Sequence, residues 1–474
     1  MKNKWIISTL ISLSLLTAVG GVSAKKEKDA PIKGLPDYAQ DKPLILPTVV
    51  EKKLPNGLTL WLIERPGLPL ISLYVAVKGG SASDPDNLKG VSDVLSSTIS
   101  AGTKTRSSRQ IAEELQALGA EIDVGIGKDI AFIGIDGLSS GIDKLLEILA
   151  DTARNATFPE DEVKLAVENT LQSIVASKPE PSYDLSQVFY HELFGKHPYA
   201  FVNPDPKVIA KVTSKDLLDI YRQRFRPEQG ILVMVGNLPT GKMAALADKY
   251  FGDWKGQGKN FADIPPAPDT VKPDLLVVDR PKSVQSTIYV GRPMPPAGNP
   301  DEFSLEVANT IFGGAFGSRL TQNIREDKGY TYSPRTSVSS WSKGGIFTIS
   351  ASVRNDVTAA TLTEIFYELN RLATTLPEDE ELTRARRYLK GSFLLANETS
   401  SALAATLTSY WVDGKTPADL AKYVPGIEKV EKEDVRNMGR KYFASRMQAV
   451  AISGDAEVIR EMLSPFGEPR LVTP

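Results

Sequence analysis

From about Leu46 onward, short runs of β-branched and aliphatic residues alternate with stretches of helical period. Thr48-Val49-Val50 and Gly57-Leu58-Thr59-Leu60-Trp61-Leu62-Ile63 flank the turn Pro55-Asn56-Gly57, a pattern that predicts strands on either side of it. Ser107 with Gln110 makes a capping-box signature, Ile111, Leu115 and Leu118 form an apolar stripe, and Gly119 supplies a stop, so a helix is predicted between them. Ile122 to Ile135 then reads as two further strands. This succession of strands and amphipathic helices places the chain in the α+β or α/β class.

The pattern repeats once over a long period. Glu64-Arg65-Pro66 leads into Ser72-Leu73-Tyr74-Val75, and Asp279-Arg280-Pro281 leads into Thr287-Ile288-Tyr289-Val290. Val212 through Lys215-Asp216 to Phe225 and Gly236-Asn237 is matched by Val430 through Glu433-Asp434 to Phe443 and Gly454-Asp455. The offset is about 215 at the first pair and about 218 at the second, which favours duplication over chance. Phe261-Ala262-Asp263-Ile264-Pro265-Pro266-Ala267-Pro268 lies between the repeats and is expected to be extended and semi-rigid. The predicted organisation is an extended segment over 25–45, a first domain over 46–258, a linker over 259–272 and a second domain over 273–474. Hinge motion is expected at the linker. The other Pro-rich stretch, Lys178 to Pro181, is expected to divide two helices.

The first residues differ from all of this. Lys2 and Lys4 precede an apolar run from Trp5 to about Val19, followed by Gly20, Gly21 and Val22-Ser23-Ala24, which reads as a secretory signal over 1–24 and predicts a periplasmic protein. The chain has 474 residues, 41% of them hydrophobic and 24% charged, more than one ordinary domain holds. With 56 basic and 58 acidic residues and no long single-sign block, charge argues against nucleic acid as a partner. The absence of cysteine excludes disulfides and a thiol nucleophile.

The second half carries Phe312-Gly313-Gly314-Ala315-Phe316-Gly317-Ser318-Arg319-Leu320, then Arg325-Glu326, Gly329 and Tyr332. This resembles the C-terminal homology domain of M16 metallopeptidases, the class of pitrilysin and the mitochondrial processing peptidase. The resemblance implies an α+β fold of two homologous domains, each a mostly antiparallel sheet packed on helices. Catalytic members hold zinc with a His-x-x-Glu-His helix and a distant glutamate. Here Asp93, Ser96 and Ser97 stand at the motif positions and Ser173 near the third ligand, so no zinc is expected in this chain. The two histidines, His191 and His197, lack helical ligand spacing and read as structural or surface residues.

The resemblance further implies that Arg325 and Tyr332 face a zinc site and stabilise a developing negative charge, here one held by a partner chain. Leu320 and Ile324 predict that Arg325 rides a helix running from near Ser318 to Gly329, with Tyr332 beyond the turn. Gly313, Gly314 and Gly317 read equally as a flexible turn and as a peptide-contacting loop, and they lack the signatures of a nucleotide site. The expected function is that of a non-catalytic subunit, paired with a zinc-bearing sister chain around a peptide or unfolded polypeptide. The competing expectations are a peptide-binding or scaffold protein of the same fold without any hydrolytic role and, less favoured, an enzyme of unrelated chemistry using Asp93 and its serines.

Overall fold

The computed structural model describes residues 47–258, 261 and 263–473, so the signal segment and the whole 25–45 stretch lie outside the described residues. The predicted turn at Pro55-Asn56-Gly57 joins β1 (Val50–Lys53) to β2 (Thr59–Glu64), with Gly57 at φ +95°, a conformation that favours glycine. β3 (Leu70–Lys78), β4 (Glu121–Ile126), β5 (Ile130–Leu138) and β6 (Gly230–Gly236) complete a sheet of order β1-β2-β6-β3-β5-β4, in which only β2 and β6 are parallel. The second half repeats the plan with β7 (Leu275–Asp279), β8 (Gln285–Met294), β9 (Arg335–Trp341), β10 (Gly344–Arg354), β11 (Ala449–Gly454) and β12 (Arg470–Val472). Its order, β12-β7-β11-β8-β10-β9, matches the first sheet strand for strand, except that the place of β1 is taken by β12, parallel to β7. The fold is α+β, two sheets of six strands packed with many helices.

Alternation along each strand assigns two apolar faces. In β7, Leu275 and Val277 join the core under the second half's own helices, while Leu276 and Val278 belong to a separate cluster on the opposite face. A sheet buried on both faces needs a second cover. That cover comes from the other half. The helix Pro181–Phe194 packs on β11 and β8 through Leu185, Phe189 and Leu193, and the helix Ser400–Val412 packs on β3 and β6. Gly291 lets Phe189 approach closely, since a Cβ there would stand 2.0 Å from the Phe347 carbonyl oxygen and 3.2 Å from the Phe189 ring.

The Arg-Pro pairs that revealed the duplication hold the exchanged helices. The Arg280 guanidinium donates to the Pro179 carbonyl at 2.6 Å, just ahead of the Pro181–Phe194 helix, and Arg65 donates to the Glu398 carbonyl, just ahead of the Ser400–Val412 helix. Each arginine ends a strand of one half and grips the helix supplied by the other.

The linker is docked on both halves. Ile264 is buried, the Ala267 N–H donates to the Lys343 carbonyl at 2.7 Å, and His197 Nε2 lies 2.9 Å from the Pro265 carbonyl oxygen. Beside it the Tyr199 hydroxyl meets the Asp129 carboxylate at 2.9 Å, and the Ser342 N–H donates to the same carboxylate at 2.8 Å. Helix exchange and this polar seam join the described residues from both halves into one compact unit. Among the described residues, no helix is long and apolar enough to cross a membrane.

Candidate functional site

The helix Val91–Thr98 carries the altered zinc-motif positions, and its anchoring is entirely internal. Gly90, at φ +90°, precedes it, and Asp84 accepts the Gly90 and Ser92 N–H groups at 3.1 and 3.3 Å, doing from a distance what an N-cap side chain does locally. Arg224 lies beneath, pairing with Asp84 at 2.5 Å and donating to the Ser92 hydroxyl at 2.9 Å, with both charged side chains 1% exposed. Packing against the helix Glu160–Ser177 completes the support.

The outward face offers little to a metal. Ser96 and Ser97 turn their hydroxyls back to the Asp93 carbonyl at 2.9 and 3.3 Å, the ordinary local bonding of helical serines. Asp93 is exposed, yet partial desolvation and then the nearby Asp84 carboxylate push its carboxyl above the usual range. Ser173 is exposed on the neighbouring helix. One carboxyl among hydroxyls does not fit zinc, which takes three protein ligands in catalytic sites. Among the described residues, no group of three or more His, Cys, Asp or Glu could hold a metal ion. His197 serves structure: its Nδ1 accepts the Tyr199 N–H at 3.1 Å while Nε2 faces the linker.

The second-half segment begins where the helix Glu302–Asn309 widens into a π-turn over Thr310–Gly314. Gly313 is buried against β9, where a Cβ would come within 2.3 Å of Thr336 Cγ2, and at Gly314 it would come within 2.8 Å of Asn309 Nδ2. Close packing therefore explains both glycines without a flexible loop. Gly317 differs, because a Cβ there would meet nothing nearer than Arg384 at 3.6 Å, and its φ is not positive.

The helix expected from Ser318 to Gly329 is only partly α-helical. It starts at Arg319 and Leu320, then continues as a π-helix over Thr321–Asp327, with the Lys328 N–H reaching back to the Asn323 carbonyl at 3.1 Å. Buried Leu320 and Ile324 hold it to the core, and Gly329 at φ +63° ends it. Such widened turns recur at functional sites.

The turn at Gly329 brings Arg325 and Tyr332 together, and a third residue joins them. The guanidinium carbon of Arg325 lies 5.1 Å from the Tyr332 ring centre and 4.7 Å from that of Phe316. Phe316 is 65% and Tyr332 83% exposed, so the charge is held between two rings at the surface, each contact contributing about 0.5–1 kcal/mol. The salt bridge from Arg325 to Glu326, at 3.2 Å, is solvent-accessible and contributes little by comparison. Phe316 escaped the sequence reading; its only signal there was a large apolar residue set among glycines.

Comparisons with known proteins cover both halves. The family model described as insulinase, peptidase family M16, matches residues 62–200, and the model described as the peptidase M16 inactive domain matches 211–389. An uncharacterized zinc protease of Rickettsia felis is 28% identical over 404 residues, covering 83% of this chain and 94% of that protein. One from Bacillus subtilis is 24% identical, covering 84% and 96%. Among solved structures, a peptidase M16 inactive domain from Pseudomonas fluorescens superposes with TM-score 0.81 at 22% identity, over 86% of this chain and 98% of that one. A protease from Helicobacter pylori gives 0.80 at 20% identity, over 86% and 100%. At these identities the structures establish the shared fold, while the two models, which between them match strands of both sheets, establish the relationship: the chain belongs to the M16 peptidase family.

Proposed function

We propose that this chain is the non-catalytic subunit of a periplasmic M16 zinc peptidase, closing with a zinc-bearing sister chain around a peptide substrate and presenting Arg325 and Tyr332 to it. The observation that carries the reading is the partly accessible guanidinium of Arg325, set against the exposed rings of Phe316 and Tyr332 in a chain whose own motif helix carries Asp93, Ser96 and Ser97. A guanidinium and a phenol are donors, and donors aimed where an oxyanion forms lower its energy most when they are fixed in advance. The zinc and the water it activates belong to the sister chain; this chain supplies orientation and charge.

The test mixes this chain with a similar exported chain that carries an intact zinc motif and compares peptide hydrolysis by each alone and together. Faster hydrolysis by the mixture, lost in Arg325→Ala, is the expected result. A mixture no faster than the sister chain alone rejects the subunit role and leaves a scaffold without hydrolytic function.

A further inference from the structure

Next to the Arg325 stack is a small apolar cavity of about 150 Å³, walled by Ile311, Ala315, Phe316, Ala385 and Tyr388. A cavity of that size with apolar walls is known to hold a ring the size of benzene. Its origin is local: Ala315, Gly317 and Ala385 are too small to fill the space between the π-turn and the helix Asp379–Ala396. The large side chains nearby do not collapse into it. Phe316 and Tyr388 remain 65% and 48% exposed at its edge, an arrangement that costs hydrophobic free energy unless something covers it.

We infer that this cavity is a side-chain pocket for the bound peptide, taking an apolar residue of leucine or phenylalanine size next to the peptide group that Arg325 engages. The assignment rests on the peptide-handling role proposed above and extends it to sequence preference. Three features argue for a peptide rather than a free apolar molecule. Phe316 is common to the cavity wall and the Arg325 stack, so a side chain in the one lies close to a backbone carbonyl at the other; an extended chain advances about 3.3 Å per residue. Gly317 has no φ or packing requirement for glycine, and its bare backbone lines the cavity where a second backbone would pass. The rim is polar: Glu381 is fixed by two bonds of 2.7 Å from Arg319, and Arg384 is half-exposed beside Gly317, suited to donate to a carbonyl.

The experiment measures binding to the chain alone, without a sister chain, by fluorescence anisotropy. The probes are two fluorescein-labelled Gly/Ser peptides that differ only in a central leucine or alanine. The unaltered chain is expected to bind the leucine probe roughly tenfold tighter, the discrimination a small apolar pocket delivers. Phe316→Ser and Tyr388→Ser are each expected to erase the preference, and the exposure of both rings makes loss of folding unexpected; a thermal melt on each variant checks this. Equal binding of the two probes, binding of neither, or a preference that persists in a folded variant of either residue overturns the pocket. Because no zinc chain is present, failure here leaves the hydrolysis test standing, and a failed hydrolysis test leaves a measured leucine preference intact.

Discussion

The two halves share a topology but spend their polar groups differently. In the first, every strong polar interaction around the Val91–Thr98 helix points inward: Asp84 caps it, Arg224 neutralises Asp84 from below, and the motif serines bond their own backbone. In the second, Arg325 is held at the surface between two exposed rings. The difference teaches that a helix and its chemistry are separable. The anchor of Val91–Thr98 lies beneath it, while Asp93, Ser96 and Ser97 sit on the outward side, where substitutions cost little stability.

The largest expected effect comes from putting the lost chemistry back. Asp93→His, Ser96→Glu, Ser97→His and Ser173→Glu together are expected to create stoichiometric zinc binding on the intact helix pair, against none in the unaltered chain, when titrated against a chromophoric chelator. Structural zinc sites supply on the order of 10 kcal/mol. Failure to bind would mean that the helix geometry as well as the ligands has changed, and the separation just drawn would collapse.

Next in size is the anchor. Arg224→Met strands the Asp84 carboxylate in a buried site and is expected to cost about 3–5 kcal/mol in urea unfolding, with part of the loss recovered when Asp84→Asn is added. A loss under about 1 kcal/mol, the scale of a surface pair, would contradict a buried anchor. In the second half the reverse is expected. Arg325→Ala should cost only about 1–2 kcal/mol, the loss of its two ring contacts, and, under the proposed role, reduce hydrolysis by the mixed subunits roughly a hundredfold.

Smaller effects probe the seam. Arg65→Met and Arg280→Met are each expected to cost about 1 kcal/mol, near-additively, because each frees one carbonyl ahead of an exchanged helix. Destabilisation by only one of them would show that the grip is not shared by the two halves. A separate, pH-dependent contrast is the response of Asp413, at the end of the Ser400–Val412 helix. Burial first, then Asp129 and Glu302 opposed by Lys415, push its carboxyl up to about 7. An unfolded aspartate titrates near ~3.9, so between these values the folded chain binds the extra proton and stability falls as pH rises. Asp413→Asn should flatten that slope and stabilise the chain at about pH 8, with little change near pH 4. An unaltered slope in stability-versus-pH curves would remove Asp413 as its source.

Much of the fold was legible because its signals are local. The capping box at Ser107 and Gln110 forms as read, and the strands predicted between Ile122 and Ile135 are β4 and β5. The break at Lys178 to Pro181 does separate two helices. The site was legible in part. Arg325 and Tyr332 were identified by resemblance to the M16 pattern, but the π-widening around Arg325 depends on how Leu320 and Ile324 seat in the core, and Phe316 gains meaning only from the ring of contacts that forms around Arg325.

By itself, the sequence determined the duplication, the strand and helix succession, and the identity of the residues at the motif positions, since each depends on residue type and short-range periodicity. Only the tertiary structure decided which helix covers which sheet. The Ser400–Val412 helix is apolar enough to be buried, but burial has no address: hydrophobic free energy is non-directional, and either sheet would satisfy it. The exchange is accompanied by directional contacts, Arg65 to the Glu398 carbonyl and Arg280 to the Pro179 carbonyl, formed by residues hundreds of positions and about a hundred positions apart. The arginines were visible as repeated letters in the chain. That they lock two halves together through exchanged helices became visible only in space.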